Sequence, residues 1–172
     1  IRENREEWRV CENKIAVCGF SAGGHLAASL GVHWYRDYLT NGKAIPPQSN
    51  CPDGLILCYP VISTGEFRHQ GSFRNLLGEN PAPEDLDHLS LEHHVSPKTP
   101  PSFLWHTGGD RGVPLENSIL FAHALRKQGI PFDLHIYHQG PHGLSLANAE
   151  TDSGNLGSFP HVQGWIDLSI SW

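Results

Sequence analysis

The chain has 172 residues and a formal net charge of −6. That length suffices for one domain with a sizeable core, and an acidic balance without any basic block lacks the electrostatic footprint of a nucleic-acid binder. No apolar stretch approaches the roughly 20 residues needed to cross a bilayer, so neither nucleic acid nor membrane is expected as a partner.

In chain order, residues 1–9 read as the end of a helix with Trp8 as an apolar anchor, and Asn13-Lys14 turn into a first strand beginning Ile15-Ala16-Val17-Cys18. Leu55–Tyr59 is a continuous apolar run stopped by Pro60, Phe103–His106 is another, and Phe132–Tyr137 is a third in which alternation is partial. Helical patterns follow Ser21 and cover Leu115–Gln128, with Leu115, Ile119, Ala122 and Leu125 on one face. Pro114 suits the first helical turn and Gly129 the stop. Residues 61–101 exceed a usual connection, carry short helical pieces near Phe73–Leu77 and Pro83–Leu89, and read as an insertion that is either functional, as part of a lid, or mobile. About four strands alternating with helices predict an α/β domain with a mostly parallel sheet, whose functional loops lie at the strands' carboxyl ends.

One such loop is Gly19-Phe20-Ser21-Ala22-Gly23, between the first strand and a helix. It reads as a nucleophile elbow, in which Ser21 takes a strained turn and glycines two residues to either side remove colliding Cβ atoms. The Ala22 N–H then stands at a helix N-terminus, suited to an oxyanion. A serine hydroxyl needs a base as it attacks. His142, in Gly140-Pro141-His142-Gly143 after the last strand, is the first candidate and His138 the second. The imidazole needs an acid that fixes its tautomer. Asp110, in the turn between Thr107 and Pro114, fits, with Glu66 as the alternative. Ser21, Asp110, His142 is the α/β-hydrolase order.

The tracts GFSAGGHLAASLG, PDGLILCYPVISTGEF and TPPSFLWHTGGDRGVPLENSILFAHALRKQGIPFDLHIYHQGPHGL resemble those of the esterase/lipase superfamily of α/β-hydrolases. The likeness is closest to small bacterial carboxylesterases described as acetylesterases or acetyl-xylan-esterase-like proteins. It spans nearly the whole chain and implies one partial catalytic domain over residues 1–172, the C-terminal half of the fold with its N-terminal strands missing. It also implies Ser21 as nucleophile, Asp110 as acid, His142 as base, and short acyl esters, with acetylated sugars or xylan fragments favoured, as substrates. Two departures stand out. Gly108-Gly109 occupy positions where relatives often carry a second acidic residue, and no HGGG-type segment for the second oxyanion donor is present. A chain starting at Ile1 is read as a fragment that is inactive alone, which leaves an upstream leader open. A peptidase of the prolyl-oligopeptidase group and a silent binding protein on the same fold are the rival readings.

Four cysteines with neither zinc spacing nor scaffold density read as free thiols, pointing to a reducing, cytoplasmic compartment, with Cys18 and Cys58 packed inside strands. Twelve histidines are many, but His93-His94, His135 and His138 lack a helical ligand pair. They read as solvated surface residues rather than metal ligands, and no metal or organic cofactor is expected, because backbone dipoles and the His142 and Asp110 pair handle the charge that develops. Oligomeric state is not legible.

Overall fold

The two central apolar runs become strands buried on both faces of one sheet, the environment that suits continuous Leu, Ile and Phe, while the outer two strands are partly exposed. In the computed structural model, which describes residues 1–40, 48–152 and 159–172, the strands are β1 (Ala16–Phe20), β2 (Gly54–Cys58), β3 (Ser102–Thr107) and β4 (Phe132–Tyr137). They pair in sequence order, all parallel, in the register Phe20↔Cys58, Cys58↔Trp105 and Thr107↔Tyr137. The helices are α1 (Arg5–Trp8), α2 (Ala22–His33), α3 (Gln70–Leu77), α4 (Pro83–Leu89), α5 (Glu116–Gln128), α6 (Pro160–Gln163) and α7 (Trp165–Ser171), with short 3-10 turns at Arg2–Asn4, Asp37–Thr40 and Leu91–His93.

Because side chains alternate along a strand, β2 and β3 feed two cores. Leu55, Leu57 and Leu104 pack with Ala28 and Val32 of α2 and Phe121 and Leu125 of α5. On the opposite face Cys58, Phe103 and Trp105 pack with Val162 of α6 and Trp165 of α7. Helices therefore cover both faces, as the strand pattern predicts. No helix among the described residues is long and apolar enough to cross a membrane.

Four local expectations need correction. Trp8 is exposed rather than an anchor, since α1 is a single turn with no buried residue. Cys18 is exposed, because β1 lies at the sheet edge, while Cys58 is buried in the centre. Ile119 is exposed, and the buried face of α5 runs instead through Asn117, Ser118, Phe121, Ala122 and Leu125. Pro114 precedes the helix, which begins at Glu116; Gly129 does end it, in the left-handed conformation at φ 71°.

Residues 61–101 carry α3 and α4 and are tied back to the body. Thr64 Oγ1 donates to the Leu86 carbonyl at 2.8 Å. Asn117, fully buried, accepts the N–H groups of Ile62 and Ser63 at 2.8 and 2.9 Å and donates to the carbonyls of Phe67 and Pro114 at 2.8 and 3.0 Å. One amide thus fixes the chain as it leaves β2.

Candidate active site

Ser21 leaves β1 at φ 53° and ψ −120°, a conformation that costs about 1–3 kcal/mol in a non-glycine residue. Its surroundings over-determine it. The Ser21 N–H donates to the Cys58 carbonyl at 3.0 Å, and the Ser21 carbonyl accepts from Gly24, His25 and Val61 N–H groups at 3.0, 3.3 and 3.0 Å. A Cβ on Gly19 would stand 2.2 Å from the Gly23 carbonyl oxygen, and one on Gly24 would stand 2.7 Å from Pro60 Cβ. A Cβ on Gly23 meets nothing within 4 Å. The crowding expected at both flanking glycines therefore falls on Gly19 and Gly24, because the tight crossing lies between strand end, helix start and Pro60.

This turn brings Ser21 Oγ to 2.7 Å from Nε2 of His142, and His142 Nδ1 lies 2.6 Å from Oδ2 of Asp110. A carboxylate only accepts, so Nδ1 carries the imidazole proton, and Nε2 is the lone-pair nitrogen that receives the Ser21 hydroxyl. The Ala22 N–H occupies the first position of α2, where a helix provides no internal acceptor. A hydroxyl aligned on an imidazole, beside a free N–H at a helix start, can add to a carbonyl carbon and hold the oxygen that becomes negative. Of the alternatives, His138 is exposed directly after β4 and Glu66 is exposed in the 61–101 segment. Both contacts that a base and an acid would make are taken by His142 and Asp110.

Asp110 is held from four directions, its side chain only 1% exposed. Oδ1 accepts the N–H groups of Gly112 and Val113 at 2.8 and 2.9 Å. Oδ2 accepts from His142 and lies 3.2 Å from Nε2 of His106. Burial pushes the carboxyl up, but hydrogen bonds from His106, His142 and the Val113 N–H outweigh it and hold the group well below the usual carboxylate range. His106, fully buried in β3, also points Nε2 at the Val113 carbonyl at 3.1 Å, so that nitrogen carries the proton, while Nδ1 meets the Ser118 hydroxyl at 2.8 Å. The sequence reading missed His106; its signal was a histidine four residues before the acid, at the end of a buried strand. It also missed Tyr59, whose ring meets that of His142 edge-on at 5.0 Å and whose hydroxyl oxygen accepts the Ser145 N–H at 3.0 Å. Burial pushes the Tyr59 phenol up to about 12.

A profile of the BD-FAE family matches residues 1–125. The chain belongs to the BD-FAE family. It is 47% identical over 154 residues to the endo-1,4-beta-xylanase B of Butyrivibrio fibrisolvens, covering 90% of this chain and 24% of that protein. It is 32% identical over 151 residues to an acetylxylan esterase of Xylanibacter ruminicola, covering 85% and 29%. Among solved structures, the acetyl ester-xyloside bifunctional hydrolase of Caldicellulosiruptor lactoaceticus superposes with a TM-score of 0.81 at 45% identity, covering 99% of this chain and 60% of that one. The chain thus spans about a quarter of the length of the curated relatives it matches, and its four parallel strands with flanking helices are part of an α/β-hydrolase fold.

In this BD-FAE member two cavities flank the serine and histidine. One, of 520 Å³, lies between α2 and α3 and is lined by Ala22, His25, Val61, Phe73 and Leu76. Burial pushes His25 down, against the opposing pull of the Leu89 carbonyl to which its Nε2 bonds at 2.9 Å, so α2 is pinned to the end of α4. The other, of 580 Å³, is lined by Arg111, Gly112, His142 and Phe159. A Cβ on Gly109 would stand 3.0 Å from the Gly140 carbonyl oxygen. Glycine there lets the two loops that carry Asp110 and His142 meet.

Proposed function

We propose that this chain carries the machinery of a serine esterase acting on short acyl esters, with acetyl groups on xylan-derived sugars as the favoured substrate class. The observation that carries the reading is the hydrogen-bonded series Ser21 Oγ, His142, Asp110, at 2.7 and 2.6 Å on one rim of the sheet. The substrate class is supported by relatives named for acetylxylan and acetyl ester-xyloside hydrolysis.

Ser21 Oγ attacks the ester carbonyl carbon while its proton passes to His142 Nε2. Asp110 stabilises the imidazolium through the Nδ1 hydrogen bond, and the Ala22 N–H holds the tetrahedral oxyanion. Collapse breaks the bond to the alcohol, which leaves with the proton from Nε2, and the acyl group stays on Ser21. Water then attacks the acyl carbon, giving its proton to Nε2, and the carboxylic acid departs as Ser21 recovers its proton. The 520 Å³ cavity beside Ala22, walled by Phe73 and Val61, is of a size for a small ligand portion.

The test pairs a fluorophosphonate probe with two substrates. Full-length wild-type protein is expected to take one label, hydrolyse p-nitrophenyl acetate and release acetate from acetylated xylo-oligosaccharides, and its Ser21→Ala variant to do none of these. Equal labelling of Ser21→Ala removes the serine from its role. Turnover of a dipeptide amide with negligible ester hydrolysis replaces the esterase reading with the peptidase one.

A further inference from the structure

At the end of α2 away from Ser21, three histidines from three separate segments come together. His33 stands in the last turn of α2, His88 on α4, and His94 directly after the 3-10 turn Leu91–His93. One ring nitrogen from each lies within 4.8 Å of the others. We propose that His33, His88 and His94 bind a single divalent transition-metal ion, zinc by ligand chemistry, that clamps α2 to the 61–101 segment.

The most telling residue is His33. It is 4% exposed, and neither ring nitrogen meets strict hydrogen-bond geometry; the His88 backbone offers one of them a weak hydrogen bond. A buried imidazole whose N–H has only a weak backbone partner and whose lone pair has none is unfavourable unless something takes that lone pair. His94 adds a second feature. Its Nε2 donates to the Asp87 carbonyl at 2.9 Å, which fixes the proton there and leaves Nδ1 as the lone-pair nitrogen. A backbone carbonyl holding the non-ligating N–H is the outer support that metal-bound histidines use.

Three nitrogens around tetrahedral zinc, each about 2.0–2.1 Å from the ion, sit roughly 3.3–3.4 Å apart. Closing from the present spacing of up to 4.8 Å needs movement of the rings toward one another. His88 is exposed and free to supply it: its ring stacks on that of His33 with centroids 4.9 Å apart and planes at 16°, while His94 lies 4.9 Å from His33 at 52°. The exposed His88 also leaves a solvent side, where water completes four coordination, and a 480 Å³ cavity lined by His33, Tyr38 and His88 gives access. Three imidazoles without a carboxylate suit zinc and its neighbours and not calcium or magnesium.

The role is structural. His33 follows Ser21 by twelve residues, about 18 Å along a helix, so the ion is remote from the hydroxyl. It would instead fasten the segment whose α3 walls the cavity beside Ala22. Sequence spacing predicts no metal because the ligands are far apart in the chain and only packing assembles them.

The test uses tag-free protein, stripped with chelator and then titrated with Zn²⁺ alone and with Co²⁺ alone. One equivalent of Zn²⁺ is expected to bind, to raise the thermal midpoint by roughly 5–10 °C at a hundredfold excess over Kd, and Co²⁺ to give the strong visible bands of four-coordinate cobalt. His88→Ala and His94→Ala, both outside the buried core, are expected to weaken Zn²⁺ binding at least about tenfold and to lose those bands. The surface control His123→Ala is expected to retain both. Absence of stoichiometric binding, or equal binding by His88→Ala and His94→Ala, overturns the proposal and leaves a stacked aromatic cluster. None of these readouts depends on esterase activity.

Discussion

His106 Nε2 lies 3.2 Å from Oδ2 of Asp110, the same oxygen that accepts the His142 Nδ1 proton. The carboxylate that orients one imidazole is therefore itself held by another, and the second is fixed in turn by Val113 and Ser118. His106→Phe keeps the apolar volume of the strand end and removes both nitrogens. The Ser118 hydroxyl and Asp110 each lose a buried partner, which costs about 1–3 kcal/mol of stability per stranded group. If the proposed chemistry operates, kcat for p-nitrophenyl acetate falls by about ten- to a hundredfold while KM stays within about twofold, because the hydrogen bonds lost orient the base and touch no substrate. Steady-state kinetics beside a urea melt check this. A stable variant with unchanged kcat would reduce His106 to a packing residue.

The elbow glycines separate cleanly by what surrounds them. Gly19→Ala places a methyl 2.2 Å from a backbone oxygen and 2.6 Å from a backbone carbon of Gly23, which no rotamer change relieves. A loss of about 3 kcal/mol or more is expected. Gly23→Ala meets open space inside α2, and exchanging glycine for alanine within a helix contributes about 0.5–1 kcal/mol. Denaturant titration should therefore move the two midpoints in opposite directions. A destabilised Gly23→Ala contradicts the geometry of the turn.

Strands β2 and β3 were legible because burial on both faces leaves a continuous apolar signature, and β4 through a partial alternation that matches its half-exposed place. Ser21, Asp110 and His142 were legible as candidates because each sits in a glycine-rich loop following a strand-like run. The parts that were not legible depend on what folding brings alongside. Asn117 is a polar residue of the kind that a helix ordinarily turns to water, yet four backbone groups of residues 62–67 and 114 hold it in the core. Ile119, two residues on, is left exposed for the same reason: the helix is rotated so that Asn117 and Ser118 meet the loop after β2 and His106. Local hydrophobicity does not encode that rotation. His106 was read as part of an apolar run, and only the fold of the 108–113 turn places Asp110 against it.

The depressed Asp110 carboxyl carries a consequence for acid stability whose sign is fixed. Burial favours the protonated form, but the hydrogen bonds from His106, His142 and Val113 prevail and stabilise the ionised one. In the unfolded chain the group titrates near 3.9, so its contribution is fully present above that pH. It is lost as pH falls from there through the lower folded value, because the unfolded state then binds a proton that the folded state resists. For a carboxylate this buried and this well bonded, the contribution at neutral pH is on the order of 2 kcal/mol. Asp110→Asn removes the charge, so it is expected to be less stable than wild type at pH 7 and to lose stability less steeply below pH ~4. Urea midpoints for the two proteins, measured at intervals from pH 7 to pH 2.5, should therefore converge toward the acid end. Curves that ran parallel through that range would show that the ionised Asp110 carboxylate does not supply this part of the fold's stability.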